Sequence, residues 1–128
     1  MIHLDTSVLI DALTGPRRSA FALRHAIAAG ERLAVSTLVL YEWRRGPRHP
    51  AELEVQDQLL PSIAAVPFDA ATAARAADLY RTVKRPRGRE LDLAIAACAL
   101  VQDASFWTLN VTDFHDIPGL ALYAPASG

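Results

Sequence analysis

The chain has a single cysteine, Cys98, in 128 residues. One thiol makes no intrachain disulfide and cannot supply a cysteine-rich zinc site. Set in an apolar stretch, it reads as a small core residue. No basic N-terminal segment leads into an apolar signal core. The longest apolar run, residues 93–101, is too short to span a bilayer. These absences lead us to expect a soluble protein of a reducing, cytoplasmic compartment. Repeats, low-complexity tracts and long linkers are missing too. No glycine-rich loop is present to cradle phosphates, which disfavours nucleotide hydrolysis. Net charge is only −1, so attraction to a polyanion must come from local patches. The four histidines, His3, His25, His49 and His115, share no metal-ligand spacing and read as core or surface residues.

What is present suits one globular domain, residues 1–128, with 52% apolar content to build its core. Strand-like segments fall at 1–4, 33–35, 63–67, 106–109 and 121–123. Between them lie helical segments at 6–13, 19–29, 37–45, 51–60, 70–83 and 90–102. Ser19, Ser36 or Thr37, and Asp69 stand where caps are expected. Gly30 and Gly46-Pro47 stand at helix ends. Ala73, Ala76, Ala77 and Tyr80 would form the buried stripe of the helix at 70–83. The nearly all-apolar segment at 90–102 must be central. Strands alternating with helices imply a mainly parallel sheet of four to five short strands, covered on both faces. In such folds ligands bind beyond the carboxyl ends of the strands.

Four acids stand in four such contexts. Asp5 ends the first strand, Glu42 lies in the helix after the second, Asp92 opens the apolar helix, and Asp113 follows the fourth strand. Each has a mundane reading alone. Asp5 can cap a helix, Asp92 can face a helix dipole, Asp113 can sit in a turn, and Glu42 can be solvated. All four being mundane at once is far less probable than any one alone. Carboxylates beside apolar segments need a cation or hydrogen-bond donors. Hard oxygen ligands select Mg²⁺ or Mn²⁺. Such ions hydrolyse phosphodiesters without a histidine, cysteine or lysine nucleophile. Among the nearby acids, Asp11 and Asp116 are read as solvated, with Asp116 the better candidate for an exception. Basic residues crowd the same region: Lys84, Arg85, Arg87 and Arg89 precede Asp92, Arg44, Arg45 and Arg48 follow Glu42, and Arg17 and Arg18 follow the first helical segment. They are candidate phosphate contacts, with the loop 84–89 favoured by its proximity to Asp92.

Four stretches together carry a family resemblance. They are Leu4-Asp5-Thr6-Ser7-Val8-Leu9-Ile10; Ser36-Thr37-Leu38-Val39-Leu40-Tyr41-Glu42 followed by Arg45-Gly46; Asp92-Leu93-Ala94-Ile95-Ala96-Ala97; and Thr108-Leu109-Asn110-Val111-Thr112-Asp113-Phe114. In order and spacing they resemble the PIN-domain family, and within it the VapC-type toxins of bacterial toxin–antitoxin pairs. The resemblance implies a three-layer α/β/α fold and a Mg²⁺- or Mn²⁺-dependent endoribonuclease. Asp5, Glu42, Asp92 and Asp113 fall on the family's acidic positions. Asp5, Asp92 and Asp113 are then the expected metal ligands, and Glu42 a ligand or a group that orients water. Thr6 and Asn110 fall on its polar positions and would support those carboxylates. Ser7 stands where many members carry asparagine. A homodimer and a small antitoxin that covers the active-site groove are also implied. Aromatic surface from Tyr41 and Trp43 is expected in that groove. A phosphatase of the haloacid-dehalogenase type would need a second aspartate where Ser7 stands. A stand-alone RNA-processing nuclease and a non-catalytic RNA- or partner-binding module are the remaining alternatives.

Overall fold

The structure is a computed structural model and describes residues 1–125. Its sheet is built on β1, Ile2–Leu4, with all three side chains buried. β2, Leu33–Ala34, and β3, Ser105–Trp107, flank it in the order β2-β1-β3, both parallel to it. A parallel strand covered on both faces reads as an unbroken apolar run. His3 interrupts that run and is buried. Its Nε2 lies 3.0 Å from Gln102 Oε1, an acceptor to which it donates. Burial holds its pKa below the ordinary histidine value, so it is a neutral, partnered core residue.

Two further segments join the sheet by single bridges instead of strands. Val66 pairs beside β2 through Val66 N to Val35 O and Thr37 N to Val66 O, both 2.9 Å. Leu122 pairs beside β3 through Phe106 N to Ala121 O and Tyr123 N to Phe106 O, both 2.8 Å. The expected third strand is therefore a 3-10 turn, Ser62–Ala64, and one bridge. Pro61 and Pro67 bracket it, and neither has an N–H to extend a ladder. Among the described residues the strand count falls to three, while the parallel α/β/α architecture stands.

Six helices follow the expected segments: α1 Thr6–Leu13, α2 Ala20–Ala28, α3 Thr37–Arg45, α4 Pro50–Leu59, α5 Ala70–Thr82 and α6 Glu90–Val101. Ser36 caps α3 by accepting from Val39 N at 3.1 Å, and Asp69 caps α5 by accepting from Thr72 N at 3.0 Å. Ser19 does not cap α2; its hydroxyl donates to Asp11 Oδ2 at 2.6 Å. α6 buries Leu93, Ile95, Ala96, Ala97, Cys98 and Ala99, and α5 packs broadly against it. The buried side of α5 is Thr72, Ala76 and Leu79, so of the expected stripe Ala76 alone packs against the core. Thr72 is tolerated in the core because its hydroxyl donates to Asp69 Oδ1 at 2.8 Å. Ala73, Ala77 and Tyr80 face outward. Among the described residues, no helix is long and apolar enough to cross a membrane.

Candidate active site

β1 and β3 run in register through Leu4 and Trp107, so Asp5 and Thr108 leave the sheet side by side. Asp5 N donates to Trp107 O at 2.9 Å. Asp5 occupies the N-cap position of α1, yet its carboxylate makes no capping bond. Instead its Oδ2 accepts from the hydroxyls of Ser7 and Thr108, each at 2.8 Å. Those hydroxyls accept in turn from Leu109 N and Asn110 N, each at 3.0 Å. The loop leaving β3 is thereby stitched to the start of α1. Asp5 is only 5% exposed. Its Oδ1 has no hydrogen bond to any described residue.

Glu42 lies on the second turn of α3. Its Oε1 accepts from Thr6 Oγ1 at 2.7 Å, and Arg45 approaches its Oε2 only to 3.5 Å. Asp92 lies in the first turn of α6 and Asp113 in the 3-10 turn Val111–Asp113. Phe114, buried with its ring 4.8 Å from that of Phe106, anchors this turn to the core.

The four carboxylates share one electrostatic field. Asp92 is pushed up to about 6, first by burial and then by the negative charges of Asp5, Asp113 and Glu42, while Arg89 opposes the rise. Even so, among the described residues no group of three Asp, Glu, His or Cys side chains stands close enough to hold a metal ion. The acids are near enough to repel, without three of them converging on one point. That suits Mg²⁺, which keeps several waters and takes one or two carboxylates plus phosphate oxygens.

The other expected residues fall on both sides of the line. Thr6 touches Glu42. Asn110 is exposed and acts through its backbone; its side chain makes no hydrogen bond among the described residues. Lys84, Arg85 and Arg87 are exposed in the loop before α6. Arg89 turns inward: Nη1 and Nη2 donate to Asp116 Oδ2 and Oδ1 at 2.9 and 2.7 Å, and Nη2 also donates to Asp113 O at 2.8 Å. This contact holds the Asp116 carboxyl below its usual range and the Arg89 guanidinium above its own. Asp116 is thus paired with Arg89 while its side chain stays 38% exposed. Arg48 is folded over the Trp43 ring, 4.3 Å from its centroid. Trp43 is fully buried, which corrects the expectation that it lines a groove, whereas Tyr41 is 57% exposed under Arg45. Ser7 and Thr108, the donors to Asp5, were not anticipated in that role. Strand register, which aligns the ends of β1 and β3, is the signal that finds Thr108.

A separate apolar groove of about 290 Å³ runs between α1, α2 and α4. Ala12, Leu13, Leu23, Val55 and Leu59 line it, with Arg17, Arg24 and Glu52 beside them. None of the four acids belongs to it.

Comparison with known proteins agrees with this geometry. The family model described as PIN domain matches residues 2–120. Ribonuclease VapC19 of Mycobacterium tuberculosis is 34% identical over 120 residues, covering 91% of this chain and 94% of that protein. Among solved structures, VapBC2 from Rickettsia felis bound to a DNA fragment from its promoter superposes with a TM-score of 0.76 at 23% identity, covering 96% of this chain and 98% of that one. DNA-bound VapBC from Salmonella typhimurium gives 0.77 at 19% identity, covering 95% and 96%. At those identities the two structures speak for the fold.

Proposed function

Because this chain belongs to the PIN domain family, we propose that it is the toxin ribonuclease of a toxin–antitoxin pair. It hydrolyses RNA phosphodiester bonds and is held in check by a small cognate protein. The observation that carries the chemistry is the gathering of Asp5, Glu42, Asp92 and Asp113 at the carboxyl ends of β1 and β3, where burial and then the other three charges raise the proton affinity of Asp92. Negative charge left unbalanced at a sheet edge is the electrostatic signature of a cation site.

The donor set fits Mg²⁺ or Mn²⁺. Such an ion, when bound, acidifies water and offsets charge developing on the phosphate. Asp5, through its unoccupied Oδ1, and Asp92 are the proposed direct ligands, and Asp113 supplies a third oxygen. Glu42, with Oε1 fixed by Thr6 and Oε2 3.5 Å from Arg45 Nη2, would orient the attacking water and accept its proton. Thr6 and Asn110 act indirectly, Thr6 on Glu42 and Asn110 through Thr108 on Asp5. Lys84, Arg85 and Arg87 contact RNA phosphates, positioning the strand without reading its sequence. The partner's apolar helix face sits in the groove between α1, α2 and α4, and an arginine from its tail pairs with the acidic edge. The active form is a homodimer, supported by the outward apolar stripe Ala73, Ala77 and Tyr80 on α5.

The test uses purified protein, total RNA and Mg²⁺ or Mn²⁺. Cleavage should vanish in chelator. Asp5→Asn should lower the rate by about 100-fold or more, past the range seen for groups that only support a ligand, with the fold retained by circular dichroism. Full activity in either case refutes the metal site. If the small protein encoded next door neither binds nor rescues growth, a stand-alone RNA-processing nuclease replaces the toxin reading. Absence of any RNA cleavage leaves a binding module.

A further inference from the structure

Building on the metal-dependent ribonuclease reading, we propose that Arg89 is a positioning residue for this site. Its guanidinium, held in a fork by Asp116, ties the turn that carries Asp113 to the start of the helix that carries Asp92. Asp92 is fixed by α6, but Asp113 lies in a three-residue 3-10 turn with no long helix to orient it. Arg89 stands at the N-cap of α6 and makes three bonds to the Asp113–Asp116 segment, 24 and 27 residues away in sequence. One goes to the carbonyl of Asp113 itself. A planar fork with two parallel bonds to one carboxylate fixes orientation as well as distance. The pair is partly exposed, the Arg89 side chain 20% and that of Asp116 38%, so its value lies in the fork's geometry and not in burial.

Asp116 has a second consequence. Arg89 is also the cation that acts on Asp92, and it lies in the field of Asp113. A free guanidinium there would pair with those carboxylates and compete with the divalent ion. Asp116 keeps it turned aside. The same geometry separates this role from a phosphate contact, because an RNA phosphate would have to displace a carboxylate already bound through both oxygens.

The experiment measures Mn²⁺ binding without RNA, by calorimetry or electron paramagnetic resonance, in the parent chain, Arg89→Gln, Arg89→Lys, Asp116→Asn and the Arg89→Gln/Asp116→Asn double variant. Steady-state RNA cleavage and melting follow on the same proteins. Arg89→Gln should weaken Mn²⁺ binding about 10-fold, the scale of a lost support to a metal ligand. It should lower kcat and leave the KM for RNA and its salt dependence unchanged. Arg89→Lys should not restore binding, since one ammonium cannot reproduce the fork. Asp116→Asn should weaken binding at least as much, because the freed guanidinium remains, and the double variant should return to the Arg89→Gln level. Lysine keeps the charge, so a folding loss confined to Arg89→Gln leaves Arg89→Lys to decide. Unchanged Mn²⁺ affinity in Arg89→Lys and Asp116→Asn overturns the positioning role. So does an effect confined to KM with a shallower salt slope, which would make Arg89 a phosphate contact. A parent chain that binds no Mn²⁺ overturns the metal reading itself and this role with it.

Discussion

Replacing Asp92 by asparagine should stabilise the metal-free protein at neutral pH while abolishing its response to Mg²⁺. In the folded chain Asp92 is raised to about 6 from an ordinary 3.8, by burial first and by Asp5, Asp113 and Glu42 next. Between those values the folded state holds a proton that the unfolded state has released. Stability from this group is therefore complete below 3.8 and is lost as pH rises through 6. At about 1.36 kcal/mol per tenfold change in proton affinity, the gap corresponds to ~3 kcal/mol of strain at pH 7.5. Asp92 is partly exposed, so solvent screening lowers this to about 1–2 kcal/mol. Asparagine keeps the size and removes the charge, so Asp92→Asn should melt about 3–8 °C above the parent in chelator at pH 7.5. The advantage should disappear below pH 4, where the parent carboxyl is protonated. Asp57, Asp69 and Asp116, held low by their hydrogen bonds, have the opposite pH dependence, but they are common to both proteins and cancel. Mg²⁺ at about 100 times its Kd should stabilise the parent by about 2.7 kcal/mol and the variant hardly at all. Thermal melts of both proteins from pH 3.5 to 8, with chelator or Mg²⁺, decide the matter. A variant less stable than the parent in chelator at pH 7.5, or a gain that ignores pH, refutes the repulsion argument.

The remaining predictions address the polyanion and the partner. Alanine at Lys84, Arg85 and Arg87 together should weaken RNA binding by an inactive variant such as Asp5→Asn. The slope of log K against log salt should fall in magnitude by about 2, at roughly 0.7 per phosphate contact on a single strand; an unchanged slope assigns the loop to solvent. Val55→Asp or Leu59→Asp, at half-exposed positions lining the apolar groove, should weaken antitoxin binding by about 30-fold or more while metal-dependent cleavage stays intact. Retained inhibition would move the partner off that groove. Excess Mg²⁺ should partly relieve inhibition of the parent if an antitoxin arginine and the ion share carboxylates.

The acids were legible because each adjoined an apolar segment whose type could be read from its pattern, and the fold then turned four positions toward one field. Their donors were not. Ser7 and Thr108 are 101 residues apart, and their meeting at Asp5 depends on the register of β1 against β3. The Arg89–Asp116 fork spans 27 residues between a helix start and a turn, with no periodic signal. Trp43 was readable in principle. Val39 and Trp43 are four apart and form the buried stripe of α3, which puts Tyr41 on the opposite side. On α5 the small-residue stripe misled, because alanine is indifferent to burial and Thr72, satisfied by the Asp69 cap, took the inward place. The third strand failed for a local reason, prolines at both ends.

How the acidic edge is held together follows from which donors hold it. Asp5 is fixed by two hydroxyls and Glu42 by one. A hydroxyl orients a carboxylate through a hydrogen bond but brings no net charge to cancel it. A lysine or arginine in those places would orient the acids equally well and neutralise them, leaving little attraction for a divalent ion. Of the cations that approach, one reaches an acid at the limit of hydrogen-bond distance and one is diverted. Arg45 stays 3.5 Å from Glu42 and leans over Tyr41, and Arg89 is taken up by Asp116. Asp92, half-buried and with no hydroxyl donor among the described residues, is raised in proton affinity first by that burial and then by the neighbouring charges. Neutral donors at Asp5 and Glu42, with Arg89 diverted to Asp116 and Arg45 only at the edge of hydrogen-bond reach, thus leave the acids a net negative charge, which is what the proposed divalent ion would require.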